Sequence, residues 1–117
     1  MLDVKKLLTK MLVAVQALSY DSGVQTAYGN YCKYHKVGKA VFVWGQSTNG
    51  WSIAQGGYRA LTTLPVGCRP SEDFYFTAGA MGGTAQITGM VKTNGVLSLY
   101  TTATTGYWTY SFMFMTS

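Results

Sequence analysis

Residues 86–102 have the sequence QITGMVKTNGVLSLYTT, which is typical of a β-hairpin. β-Branched and aromatic residues fill both arms, and Asn94 and Gly95 lie between them. An Asn-Gly pair favours a two-residue type I′ turn, because both central residues of that turn need a positive φ. The sequence therefore predicts two antiparallel strands joined at Asn94-Gly95. Asn49-Gly50 gives a second, weaker turn signal.

The same pattern of strands and turns extends on both sides of this hairpin, from Asn30 to the last residues. Pro65 and Pro70 flank a loop, LPVGCRP, because neither proline fits a central strand. The candidate strands are residues 30–36, 40–46, 51–54, 60–64, 73–78, 85–93, 96–102 and 107–115. These signals predict a mainly β fold, an antiparallel sandwich of the jelly-roll kind over residues 30–117.

Arg69 belongs to the predicted loop between the two prolines. A guanidinium has five N–H donors, so we expect it to bind loop carbonyls or to pair with Glu72 or Asp73. Its expected role is therefore structural.

Two of the predicted strands are apolar on both faces. Residues 40–45, AVFVWG, place apolar side chains on each side in alternation, and residues 107–115, YWTYSFMFM, do the same. A strand of a small antiparallel sheet usually has one polar face. We expect the second face to meet a neighbouring subunit, with an edge loop or the N-terminal helix as the alternative cover.

Residues 1–19 carry the only helical period of the sequence. Apolar residues alternate at spacings of three and four, as in the seam of a coiled coil: Met1, Val4, Leu8, Met11, Val15 and Leu18. We expect an N-terminal α-helix that oligomerises as a trimeric neck, or one that lies on its own domain. Residues 20–29, YDSGVQTAYG, are interpreted as a linker because Gly and Ser interrupt any period.

The composition favours an oligomer. Only 11% of the 117 residues are charged, whereas about 25% is usual. The formal net charge is +5, but no RNP-like, KH-like or zinc-finger pattern accompanies it, so we expect no specific nucleic-acid partner. A small Thr- and Ser-coated β domain is the alternative explanation of the low charge.

The residues that carry chemistry are few. Glu72 and Asp73 are adjacent, so in a strand their carboxylates point to opposite faces. Cys32 and His35 also fall on opposite faces, which is wrong for a nucleophile–base pair. We therefore expect no enzymatic activity, no metal and no cofactor. An acid pair assembled from two subunits is the remaining enzymatic alternative.

Membrane and export signals are weak. No stretch reaches the roughly 20 apolar residues that a spanning helix needs, and Lys10 interrupts the apolar run near the N-terminus. We expect a cytosolic product without a signal peptide and without membrane insertion.

The candidate ligand-binding residues lie in loops. Asn49, Trp51 and Tyr58 fall within residues 47–59, STNGWSIAQGGYR, and Tyr107 follows a later loop. Aromatic faces flanked by amides suit sugar rings, whose CH faces stack while their hydroxyls form hydrogen bonds. The core is an equal alternative for Trp51, and it is the favoured position for Trp44 and Trp108.

The order of these segments resembles the C-terminal head domains of phage and prophage tail-fibre and baseplate structural proteins. The matching segments, in order, are VFVWG (41–45), TLPVGCRP (63–70), TNGVLSLY (93–100) and YWTYSFMF (107–114). The resemblance covers roughly residues 22–117. Cys68 stands where that turn often has an aromatic residue, which puts the local packing in doubt.

The resemblance implies a virion protein, assembled in the host cytoplasm, that contacts other virion proteins and forms a homotrimer. It implies recognition of a host-surface glycan, a neutral or anionic saccharide that is held weakly by each subunit and more tightly by three together. The alternative is a purely structural fibre or capsid-decoration protein without a ligand.

Overall fold

The computed structural model describes residues 3–10 and 20–116. Residues 4–10 are α-helical, and the Asp3 carboxylate caps them by accepting a hydrogen bond from the Lys6 amide at 3.2 Å. All residues from 3 to 10 are exposed, including the apolar Val4 and Leu8. The other members of the predicted helix seam lie outside the described residues: Met1, Met11, Val15 and Leu18.

The remainder is built from strands, which confirms the prediction of a mainly β chain with an N-terminal helix. The eight strands are β1 (Asp21–Tyr28), β2 (Cys32–Val37), β3 (Ala40–Ile53), β4 (Arg59–Thr63), β5 (Phe74–Ala80), β6 (Ile87–Val91), β7 (Val96–Thr101) and β8 (Thr105–Met115). Every pair of neighbouring strands is antiparallel.

The strands follow one another in a single hydrogen-bonded order, β1-β2-β3-β8-β5-β6-β7-β4. β5 connects two groups of strands, β1-β2-β3-β8 before it in this order and β6-β7-β4 after it. It pairs with β6 along its length and with β8 only at Gly79 and Ala80. β1 and β4, the two ends of the order, contact each other. The sheet therefore curls toward closure as a near-barrel.

The predicted linker over residues 20–29 is corrected by the structure, because β1 occupies most of it. Val24 pairs with His35, and Thr26 with Lys33. Gly23, which counted against a regular element in the sequence, adopts a φ of 66° at an irregularity of the ladder. A glycine that signals a break can equally mark a bulge within a strand.

Asn49-Gly50 also differs from the prediction, since it lies inside the long strand β3 and not in a turn between two strands. Asn49 has a φ of 71°, a conformation that Asn tolerates, and it forms part of a bulge. The Ser47 hydroxyl spans this bulge. It accepts a hydrogen bond from the Trp51 amide at 3.0 Å and donates one to the Gly106 carbonyl at 2.7 Å.

The hairpin of β6 and β7 is confirmed, but its turn is longer than predicted. The Gly95 amide donates to the Lys92 carbonyl at 2.8 Å, and Gly95 has a φ of 89°. Asn94 is not among the residues with positive φ. The connection is therefore a three-residue turn in which glycine takes the left-handed position, not a type I′ turn.

Arg69 connects the loop after β4 to that turn. Its Nε donates to the Leu64 carbonyl at 2.9 Å, while the Leu64 amide donates to the Gly95 carbonyl at 2.8 Å. The carbonyl contact predicted for Arg69 is thus present. The only ion pair among the described residues joins Asp21 and His35, so Arg69 forms none with Glu72 or Asp73.

The core lies under β3 and β8. The inward side chains of β8 form a stack in which successive ring centroids of Trp108, Tyr110, Phe112 and Phe114 are 5.7, 5.8 and 6.0 Å apart. Val41 and Val43 of β3 are fully buried beside it. This stack lies under residues 41–47 of β3 and 108–114 of β8, beneath the outward side chains of both strands.

Candidate functional site

The outer face of β2, β3 and β8 carries the side chains that alternate with the core. The register places Lys33, Trp44 and Ser111 in one row across the three strands. Directly paired residues point to the same side of a sheet. Trp44 follows the buried Val43, so its ring points outward and is half-buried among its neighbours.

A second polar row lies beside this one. Gln46 pairs with Thr109, and the Gln46 amide donates to the Asn30 carbonyl at 3.0 Å. The two rows border a groove of about 390 Å³, which we call the polar groove. Its lining residues are Asn30, Lys33, Trp44, Gly45, Gln46, Thr109, Tyr110 and Ser111.

Gly45 gives the groove its shape. The turn between β1 and β2 folds onto β3 here, and a Cβ at Gly45 would lie 1.9 Å from the Tyr31 carbonyl oxygen. That oxygen also accepts a hydrogen bond from the Tyr110 hydroxyl at 2.6 Å. A side chain at position 45 is therefore incompatible with this turn, which forms one wall of the groove.

The groove continues into a second depression of about 350 Å³ along the same strand. Both depressions include Asn30 and Gln46 in their lining, and the second extends to Thr48 and Gly50. Thr48 pairs with Tyr107 of β8. Amides, hydroxyls and two aromatic residues thus follow one continuous surface from Trp44 toward Tyr107.

Two of the candidate ligand-binding residues predicted from sequence lie at this far end. Tyr107 is exposed beside Thr48. Asn49 is exposed as well, and its Oδ1 lies over Gly106, 3.0 Å from where a Cβ on that glycine would stand. Asn49 and Tyr107 are therefore close to each other in the fold, but neither lines the groove or the second depression.

The other two candidates lie elsewhere. Trp51 is only 6% exposed, and the Arg59 guanidinium lies 4.0 Å from its ring centroid, so neither face of the ring is open to a ligand. We remove Trp51 from the candidate set and assign it to the core. Tyr58 is exposed but packs on Tyr100 of β7, with ring centroids 5.5 Å apart, and it lines neither depression.

Trp44 is the residue that sequence reasoning missed, because a tryptophan in an apolar strand suggests the core. The available signal was parity, since Trp44 shares its side of the strand with Phe42 whereas Val41 and Val43 share the other. Lys33 and Gln46 carried no signal of their own. Only the register between strands brings them to Trp44.

The opposite end of the same face is apolar. Phe42 pairs with Met113 and Ala40 with Met115, and the side chains of Phe42, Met113 and Met115 are 44%, 47% and 54% exposed. A shallow depression of about 420 Å³ runs from Phe42 to Trp44. We call this end the apolar half and the groove side the polar half, with Trp44 at the boundary.

The charges near the groove are few and specific. The Gly23 amide and His35 hold the pKa of Asp21 below its ordinary value, so this carboxylate is already engaged. In the described part of the chain no three His, Cys, Asp or Glu side chains cluster as metal ligands would. None of the described helical residues form a segment long and apolar enough to cross a bilayer.

The thiol nearest the groove lies beneath it. Burial raises the pKa of Cys32 to about 11, although a hydrogen bond with Tyr110 partly opposes that shift. Burial also raises the pKa of Tyr110. Both groups therefore stay protonated near neutral pH and support the groove from the core side.

No family model matches the chain, and no curated protein matches it.

Proposed function

We propose that the chain is a non-enzymatic saccharide-binding module and that the polar groove holds a sugar ring against Trp44. The observation that carries this proposal is the position of Trp44. Its half-buried ring lies outside the core, between Lys33 and Ser111, and beside the amide of Gln46.

The chemistry of the groove fits a pyranose. One face of such a ring is made of C–H groups, which pack on an indole, while its hydroxyls need donors and acceptors around the edge. Asn30 and Gln46 provide amides, and Thr109 and Ser111 provide hydroxyls. A volume of about 390 Å³ lies at the small end of ligand sites, so each groove holds a short stretch of glycan.

The biological setting is part of the same proposal. The order of the motifs that resemble phage and prophage tail-fibre heads supports a virion protein that recognises a host-surface glycan and contacts other virion proteins. An open groove on a rigid sheet binds weakly. A homotrimer that presents three grooves raises the effective concentration of sites on a repetitive glycan.

A glycan array followed by titration calorimetry with the best saccharide tests the site. We expect Trp44→Ala to weaken binding roughly tenfold or more, because truncation of a buried aromatic contact commonly costs over 1 kcal/mol. Tyr58→Ala is the matched control, since it removes an exposed ring that lies outside the groove. Equal losses in both variants, or full binding by Trp44→Ala, would contradict the assignment.

A purely structural role is the second candidate, and the apolar half favours it. Exposed Phe42, Met113 and Met115 on the sheet, together with exposed Val4 and Leu8 on the helix, give one chain two uncovered apolar surfaces. A second copy of the chain is the proposed occupant, as in a trimer that buries both. Light scattering that shows a trimer, together with an array that shows no bound glycan, would select this role.

A further inference from the structure

The polar groove contains one charge, which belongs to Lys33. The seven other residues of its lining are neutral, and the only described ion pair, Asp21 with His35, does not include Lys33. Lys33 is half-buried, so its aliphatic part packs against the sheet while its ammonium reaches the groove. A site with one uncompensated cation favours a ligand that brings the opposite charge.

The one carboxylate that forms an ion pair among the described residues does not neutralise this cation. Asp21 is on β1 and accepts hydrogen bonds from its partner His35 and from the Gly23 amide. His35 is two residues from Lys33 on the same face of β2. The carboxylate is thus committed at the next row of the sheet, and the ammonium keeps its full attraction for a ligand.

The position of Lys33 relative to Trp44 defines where the charge of the ligand belongs. The two residues are directly paired across β2 and β3, and the Cβ atoms of such a pair are about 5 Å apart. A sugar ring stacked on the indole therefore presents a group on its edge to the Lys33 ammonium. Gln46 is placed beside the same edge and adds an amide N–H donor.

Resting on the proposed function, we infer that the groove selects an anionic saccharide. Its sugar ring lies on Trp44 and its carboxylate or phosphate binds the Lys33 ammonium. A uronic acid and a phosphorylated sugar share this chemistry, because both present anionic oxygens to an ammonium and to amide donors.

A single-stranded nucleic acid also combines anionic groups with rings that stack, but the groove suits it less well. Such ligands need a track of cations along the backbone, whereas the groove provides one. The observations therefore favour a saccharide with one anionic group per bound unit.

Titration calorimetry of the full chain tests this inference with two matched pairs of probes. The first pair is oligogalacturonate and its methyl ester, and the second is a phosphomannan oligosaccharide and its phosphatase-treated form. We expect at least one charged probe to bind roughly tenfold more tightly than its neutral form, the gain that one charge-assisted hydrogen bond supplies. Which pair shows the difference identifies the anion.

Lys33→Gln should abolish that difference, so that the charged probe binds no more tightly than its neutral form. Lys39→Gln is the control, because Lys39 is exposed in the turn between β2 and β3 and lies outside the groove lining. A salt titration of the wild-type chain tests the same contact without depending on whether a variant folds. The advantage of the charged probe should shrink as ionic strength rises, and an advantage independent of salt contradicts an ionic contact.

The outcomes separate the two proposals. Equal affinity for charged and neutral probes, with loss on Trp44→Ala, overturns the anionic preference and leaves saccharide binding intact. An array that shows no saccharide binding overturns both. Tighter binding of a single-stranded oligonucleotide than of either charged saccharide overturns the assignment of the ligand class.

Discussion

The polar and apolar halves of the outer face share strands β3 and β8 and rest on the same aromatic stack, yet they present opposite chemistry. Around Trp44 the outward positions are amides, hydroxyls and Lys33, whereas two residues along β3 they are Phe42 and its partner Met113. The polar half can stay open, because its groups bond to water until a ligand replaces it. The apolar half keeps ordered water on large hydrocarbon surfaces and gains free energy only when it is covered.

Under the proposed function, one sheet face serves ligand exchange at one end and permanent contact with a second copy at the other. A ligand that comes and goes needs shallow burial and donors that water also satisfies. A partner that stays needs apolar area. Trp44 lies at the boundary, because it lines both the polar groove and the shallow depression of the apolar half. The two halves are therefore adjacent but chemically separable.

The largest expected effect comes from Gly45, a buried residue in the lining of the polar groove. Gly45→Ala forces a methyl group against the Tyr31 carbonyl, which is 1.9 Å from the Cβ position. The turn must move and its hydrogen bond from Tyr110 is lost, so we expect the free energy of unfolding to fall by about 3 kcal/mol or more. Chemical denaturation measures this loss.

Gly79→Ala provides the control for that variant. Gly79 is also a strand glycine, but a Cβ there meets Thr109 at 3.8 Å, an ordinary contact. We expect a change within about 0.5 kcal/mol. Similar losses in both variants would mean that the polar half does not depend on the close approach at Gly45.

Alkaline pH should weaken the support beneath the polar half. The Cys32 thiol has an ordinary pKa of 9.0, which burial raises to about 11 in the folded chain. Between those values the unfolded state loses the proton and the folded state keeps it. The free energy of unfolding should therefore fall as pH rises from 9 through 11, by about 2 kcal/mol from this group.

Denaturation at a series of pH values measures this fall, and Cys32→Ala isolates the contribution of the thiol. The variant lacks the titrating group, so its stability should decline less steeply over the same range. Parallel curves for the two proteins would show that burial of Cys32 does not control the alkaline limit.

The two halves can be separated by a variant of the apolar half alone. Phe42→Thr with Met113→Thr removes paired apolar side chains and keeps residues that suit strands. We expect self-association to weaken at least about tenfold, or 1.4 kcal/mol, because the buried apolar area is lost. Saccharide affinity per groove should stay within about twofold.

Sedimentation and calorimetry on the same sample give both values. Val66→Thr is the control, since it removes an apolar side chain that is 84% exposed in the loop after β4 and belongs to neither half. A double variant that assembles as the wild type does would leave the apolar half without its proposed partner.

The sequence predicted what depends on alternation and failed where three-dimensional register decides. Alternation in residues 40–45 and 107–115 predicted apolar side chains on both faces, and Phe42, Met113 and Met115 do lie exposed on the outer one, while the subunit expected to cover them stays a prediction. Gly23 and Asn49 were interpreted as breaks, because nothing local distinguishes a turn from a bulge inside a strand. Lys33 is 11 positions before Trp44, and only the pairing of β2 with β3 makes them neighbours.

The candidate ligand residues show the same limit. Trp51 and Trp44 are both tryptophans in apolar strands, and their local sequences do not tell which one is buried. The two residues are seven positions apart in β3, so alternation alone puts them on opposite sides, with Trp51 on the side of the buried Val43 and Trp44 facing outward. Alternation gives the relative facing of the two residues, and only the packing of β3 in the fold shows which of its sides is the core.

Substitution of Arg69 has the smallest expected effect on the free energy of unfolding. It also checks that the two halves do not depend on the loop after β4. Its Nε donates to the Leu64 carbonyl, and its side chain lies against Gly95. Lysine has a flexible four-carbon chain that ends in a single ammonium and has no Nε–H donor, so Arg69→Lys loses this fixed contact. We expect the free energy of unfolding to fall by about 1 kcal/mol, the net contribution of one hydrogen bond, with unchanged saccharide affinity and unchanged assembly.

Lys92→Arg, an exchange at an exposed site, should change stability by less than about 0.5 kcal/mol. If Arg69→Lys is as stable as Lys92→Arg, the guanidinium is not what fastens this loop to the β6–β7 turn. The backbone bond from the Leu64 amide to the Gly95 carbonyl, which the substitution leaves in place, then accounts for the connection.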